Sequence, residues 1–98
     1  METQETIGRW ADEAFGKAAS LWVIVSRLHA EELELLKAVD HGAPEAIRDE
    51  AADVAIVLYR LAQVAGFDLA RAVNEKMAVN RQRKWMVFGD GTGQHVRA

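Results

Sequence analysis

The 98-residue chain contains no cysteine, which excludes disulfides and any thiolate metal site. It lacks a strong charge of either sign. The net charge is −3, which argues against a general binder of nucleic acid polymers. No segment has the ~18 uninterrupted apolar residues of a membrane span, and the N-terminus lacks a basic-then-apolar signal pattern. There is no low-complexity stretch and no internal repeat. These absences point to a soluble, cytoplasmic protein with no membrane association. Its length is that of one domain, residues 1–98, with a core over about 5–86 and a flexible glycine-rich tail over 87–98. A chain of this size buries only a little over ~60% of its unfolded surface. Half of its residues are apolar, more than a small monomer hides, so an oligomer is expected.

What is present reads as helix. Ile7, Trp10, Ala11, Ala14 and Phe15 fall at i, i+3, i+4, i+7 spacing and predict a short amphipathic helix ending near Gly16. A second helix over 18–39 is apolar all round from Leu21 to Val25, which implies burial on more than one side. It ends at Asp40-His41-Gly42, with Gly42 as C-terminal cap. Pro44, the single proline, stands where a third helix can begin, and Gly66 closes that helix after Ala65. Asp68 is a fitting N-cap for a fourth helix, which runs towards Trp85. The reading is an all-α chain of four helices whose short connections favour antiparallel neighbours.

Two carboxylate clusters lie inside these helices, Glu31-Glu32-Leu33-Glu34 and Asp49-Glu50-Ala51-Ala52-Asp53. Glu31 shares a face with Glu34, and Glu50 shares one with Asp53. Asp53 sits in the apolar run Ala51–Leu58, where an acid is poorly placed for solvent and needs a cation, a donor or a changed protonation state. If the second and third helices pack side by side, four carboxylates converge. Each like-charge pair at ~4 Å and an effective dielectric of ~20 then costs about 4 kcal/mol. A divalent cation with oxygen ligands offsets this, and Mg²⁺ suits carboxylates that leave room for water and phosphate. The plainer alternatives are a solvated acidic face paired with Lys37, and a structural pair between Asp53 and Arg60. A di-iron bundle would need Glu-x-x-His pairs, but His29, His41 and His95 follow Ser26, Ala38 and Thr92 at that spacing.

Downstream, Lys76, Asn80 and Arg83 are spaced i, i+4, i+7 and form a polar stripe suited to a phosphate chain. A solvated basic helix end, favoured by the macrodipole, is the alternative. Gly89-Asp90-Gly91-Thr92-Gly93 lacks the strand, Lys and Ser/Thr of a phosphate loop.

Glu31-x-x-Glu34 followed by Glu50-x-x-Asp53 resembles the paired acid motif of the MazG-like all-α nucleoside triphosphate pyrophosphohydrolases. Lys76-Met77-Ala78-Val79-Asn80-Arg81-Gln82-Arg83 resembles the Lys, Asn and Arg signature of that family's smaller members, including dCTP pyrophosphatases. The end of the chain, Trp85 and Asp90-Gly91-Thr92-Gly93-Gln94-His95, is similar to phage-type dATP/dGTP diphosphohydrolases. The resemblance covers roughly residues 10 to 85. It implies an all-α, four- to five-helix bundle assembled as a homodimer or homotetramer. It also implies Mg²⁺-dependent cleavage, with Mn²⁺ as an alternative ion, of a nucleoside triphosphate to a monophosphate and pyrophosphate, a nucleotide-pool housecleaning activity. By the match, Glu31, Glu34, Glu50 and Asp53 would be metal ligands and catalytic carboxylates, with no general base assigned among them. Lys76, Asn80 and Arg83 would hold phosphates, and Trp10, Phe15 and His41 fall near positions that shape a base pocket. Val57 departs from relatives that carry Tyr there. The rival reading is a non-catalytic helical oligomerisation module.

Overall fold

The computed structural model describes residues 1–97. Four helices follow one another, α1 Gln4–Phe15, α2 Leu21–His41, α3 Pro44–Ala65 and α4 Leu69–Gln82. Their ends follow local chemistry. The Thr3 hydroxyl accepts from the Thr6 backbone N–H, and the Thr6 side chain caps Thr3 in return, satisfying two donors that a helix start leaves orphaned. Gly42 takes the left-handed conformation, φ 71°, and its N–H donates to the Ala38 and Val39 carbonyls. Pro44 lies in the first turn of α3, and Asp68 caps α4 by accepting from the Arg71 N–H at 3.1 Å.

The two-residue connection at Gly42-Ala43 lays α3 back along α2, and α1 packs on α3. Among the described residues, the buried apolar ones are Ala11, Ile24, Ala38 and Ala62, mostly small side chains that let backbones come close. Gly8 is also buried, and a Cβ there would sit 2.6 Å from Gln63 Cγ. The side chain of Gln4 ties α1 to the α3–α4 corner. Its amide donates to the Phe67 carbonyl at 2.7 Å and accepts from the Leu69 N–H at 2.9 Å. Beyond that corner α4 packs only lightly, against α3.

Helix α4 stops at Gln82 rather than continuing to Trp85. Arg83 is extended, φ −82° and ψ 154°, and so leaves the helical face that carries Lys76 and Asn80. The Trp85 indole N–H donates to the Asn80 carbonyl at 2.9 Å, which satisfies one of the last carbonyls of the helix.

Residues 85–95 add a short hairpin to the all-α fold, largely within the stretch that the sequence presents as a flexible tail. Strands β1, Trp85–Val87, and β2, Gly93–His95, pair antiparallel with Met86 opposite Gln94. The turn between them is built by Asp90, whose carboxylate accepts from the Thr92 N–H at 2.9 Å and hydroxyl at 2.7 Å. Those bonds hold the Asp90 carboxyl below its ordinary range. Gly89 and Gly91 supply the positive φ the turn requires.

A single chain leaves much apolar surface uncovered. Trp22 is 80% exposed, and Leu36 and Val39 are exposed on the same helix. The accessible surface is 7868 Å² for 10.9 kDa, against about 5,600 Å² for a folded monomer of that mass. The radius of gyration is 15.9 Å, against about 13 Å for a compact domain of this length. Among the described residues no helix is long and apolar enough to cross a membrane.

Candidate metal centre and adjoining cavity

The antiparallel packing of α2 on α3 brings the two acid clusters together. One carboxylate oxygen each from Glu31, Glu50 and Asp53 lies within 4.8 Å of the others. Glu34 is not in this group. Its carboxylate pairs with Lys37 at 3.3 Å, and both side chains are largely exposed. Glu31 accepts from the Arg27 guanidinium one turn earlier. Glu50 is half-buried and Asp53 exposed. The apolar run around Asp53 had implied burial, but in a single chain that face of α3 is open.

The pair between Asp53 and Arg60 does not form. Arg60 turns towards the loop after α1, donating to the Gly16 carbonyl at 2.9 Å and lying 3.5 Å from the Asp12 carboxylate. Asp53 makes no ion pair or side-chain hydrogen bond among the described residues, so its charge is free for a ligand.

The donor set is all carboxylate oxygen, the chemistry of a hard divalent cation rather than of a soft metal. Electrostatics agree with that fit. Partial burial, followed by the nearby charges of Asp53, Glu34, Glu31 and Asp49, pushes the Glu50 carboxyl above its ordinary value of 4.5. The folded, metal-free chain therefore holds this proton more tightly than the unfolded chain. Its contribution to stability is present below pH 4.5 and is lost as pH rises through the raised value. Glu50→Gln is expected to raise the melting temperature of the metal-free protein at pH 7 and to abolish any further rise on adding Mg²⁺. A Gln variant that melts like wild type and still gains stability from Mg²⁺ would exclude this cluster as a cation site.

A cavity of about 550 Å³ opens beside the acids. Glu31 and Asp53 stand in its wall together with Arg27 and Lys17, and Val57 lies on the α3 side. Trp10 and Phe15 stand in the wall formed by α1, their rings 5.4 Å apart and edge to face. His41 does not join them. It ends α2, ten residues or about 15 Å beyond Glu31 along the helix, and its Nδ1 lies 2.8 Å from the Lys37 carbonyl. Nor do Lys76, Asn80 and Arg83 line the cavity. Lys76 is exposed, and the half-buried Asn80 leaves its side-chain oxygen without a partner.

Of the three cations in the cavity wall, Arg27, Lys17 and Arg60, the first two were not singled out from sequence. Arg27 carried a usable signal, since it precedes Glu31 by one helical turn. Lys17 carried none, because its place depends on how the α1–α2 loop folds.

Known proteins resemble this chain in sequence and in fold. The model of the MazG-like family matches residues 25–92. A dATP/dGTP diphosphohydrolase of Salmonella phage PMBT28 is 38% identical over 96 residues, 97% of this chain and 31% of the relative. A dATP/dGTP diphosphohydrolase of Cyanophage S-2L is 38% identical over 47 residues, 48% of this chain and 45% of the relative. The chain thus spans about a third to a half of the length of these curated relatives. A solved structure, the Cyanophage S-2L MazG-like pyrophosphohydrolase bound to dGDP and three catalytic Mn²⁺ ions per active site, superposes with a TM-score of 0.76. It is 28% identical, and the match covers 96% of this chain and 93% of that one.

Proposed function

Because the chain belongs to the MazG-like family, we propose that the acid cluster and its cavity form the active site of a nucleoside triphosphate pyrophosphohydrolase. Water attacks the α-phosphorus, the bond to the oxygen bridging to the β-phosphate breaks, and the products are a nucleoside monophosphate and pyrophosphate. The observation that carries this reading is the meeting of three helix-borne carboxylates within 4.8 Å, two of them in the wall of a 550 Å³ cavity. Aromatic side chains stand in that same wall.

Glu31, Glu50 and Asp53 would hold the divalent ion, Mg²⁺ or Mn²⁺. Bound there, it would supply neutralisation of phosphate charge and a lowered pKa for the attacking water. Glu34 is proposed as a fourth ligand. Its present pair with Lys37 is exposed, and such a pair is worth ~1 kcal/mol or less, so releasing it costs little. One of these carboxylates takes the proton of the water. Arg27 and Lys17 are placed to meet phosphate oxygens within the cavity. Lys76, Asn80 and Arg83 lie outside it, so their proposed contact with phosphate requires a second copy to bring α4 over the site. Trp10 and Phe15 offer a wall for the base, whose flat face stacks favourably on aromatic rings.

The names of the phage relatives and the dGDP bound in the solved neighbour support purine deoxynucleoside triphosphates as substrates, and the ions in that neighbour support divalent-metal use. The biological role that follows is cytoplasmic clearance of particular nucleotides from the pool. The test is a panel of nucleoside triphosphates assayed with Mg²⁺, with Mn²⁺ and with chelator. Pyrophosphate is expected from purine deoxynucleotides with either metal and none with chelator. Orthophosphate as the primary product would overturn the assignment, and so would unchanged release under chelation.

A further inference from the structure

The face of α3 that carries Asp53 continues through Val57 to Arg60, and all three line the cavity. Seven residues separate Asp53 from Arg60, about 10 Å along the helix axis. That is comparable with the reach from a nucleotide's α-phosphate to the far edge of its base. Arg60 therefore stands where the base end of a nucleotide would lie if its phosphates sit at the acids.

Its bonds point to a particular task. The Arg60 guanidinium donates to the Gly16 carbonyl at 2.9 Å, and its central carbon lies 5.8 Å from the centre of the Phe15 ring. One side chain thus grips the last residue of α1 and the residue after it. Gly16 has φ 81° and ψ 168°, a conformation essentially reserved for glycine, and it bears the carbonyl that meets Arg60. A Cβ added there would meet nothing within 4 Å, so a substitution at Gly16 acts through the backbone alone. The guanidinium also lies 3.5 Å from the Asp12 carboxylate, but not all of its donors are met. The Arg60 side chain is only 15% exposed, and its Nε is buried without an acceptor. An apolar side chain of similar length would avoid that cost.

We propose that Arg60 is a positioning residue for base recognition: through Gly16 and Phe15 it fixes the aromatic wall of the cavity against which the base of the nucleotide packs. It does not touch the reacting atoms. This inference rests on the nucleotide reading of the cavity given above.

The test is steady-state pyrophosphate release from a purine deoxynucleoside triphosphate by the full chain. Wild type is compared with Arg60→Met, Arg60→Lys, Gly16→Ala and the double variant Arg60→Met/Gly16→Ala, with a melting temperature for each. Arg60→Met is expected to raise KM about tenfold, the size of a weakened base–aromatic contact. Its kcat should stay near that of wild type, because the acids are untouched. Arg60→Lys should recover part of the loss. Gly16→Ala should raise KM similarly, and the double variant should be no worse than the poorer single variant, since both cut one contact. A fall in kcat at unchanged KM would overturn the inference, as would multiplying effects or a KM that tracks loss of stability. Wild type that releases no pyrophosphate from any nucleotide would overturn the underlying reading as well. Active wild type with an unaltered Arg60→Met would overturn this inference alone.

Discussion

Asp53→Asn is expected to cut turnover by at least about 10²-fold, the scale of removing one preorganised electrostatic group from an active site, while leaving the helices folded. The change keeps the side chain's size and removes one of three charges that meet within 4.8 Å. Asp53 is exposed in the chain, and the cation once available to it, Arg60, is bonded to Gly16 and Asp12 instead. Removing the charge therefore strands no buried partner. The fold should change by no more than ~0.5 kcal/mol, as for other surface substitutions. Calorimetric titration should show Mg²⁺ binding lost or greatly weakened. If Asp53 were a structural partner of Arg60, the variant would instead melt early and bind Mg²⁺ as wild type does. A variant that binds Mg²⁺ normally and still hydrolyses nucleotide would rule out the site.

The second large effect concerns assembly. In solution the protein is expected at a multiple of 10.9 kDa, with a melting temperature that rises with protein concentration. The surface of one chain exceeds that of a folded monomer of its mass by about 2,300 Å². That excess is of the size an obligate partner buries. Among the described residues, the buried apolar ones of a single chain are three alanines and one isoleucine, a thin core for a sequence of 98 residues. Where folding and association are one process, dilution unfolds the protein. Light scattering that gives a monomer at micromolar concentration, with melting independent of dilution, would contradict this. Assembly also bears on the site, since Lys76 and Arg83 lie outside the cavity of their own chain.

Much of this architecture was legible in the residues. Gly16, Gly42 and Gly66 close three helices because each supplies a positive φ that other residues adopt at a cost. Asp68 opens α4 because its short carboxylate reaches the backbone N–H three residues on. The acid clusters were visible as pairs, because residues three apart share a helical face. The hairpin was missed because its strands are three residues each, too short for an alternating pattern to register, although Gly-Asp-Gly-Thr carried the turn chemistry.

The sequence by itself determined which segments are helical, where the first three of them stop and which acids share a face. All of these follow from interactions within four residues. Only the tertiary structure decided that Glu31 meets Glu50 and Asp53 while Glu34 turns to Lys37, and that Arg60 leaves Asp53 for Gly16. It also decided that His41 lies at the far end of α2 from the aromatic wall. Those outcomes depend on how deeply α2 slides along α3 and on where the α1–α2 loop crosses. Side-chain volumes on two separate helices set both, and spacing along one chain does not encode them.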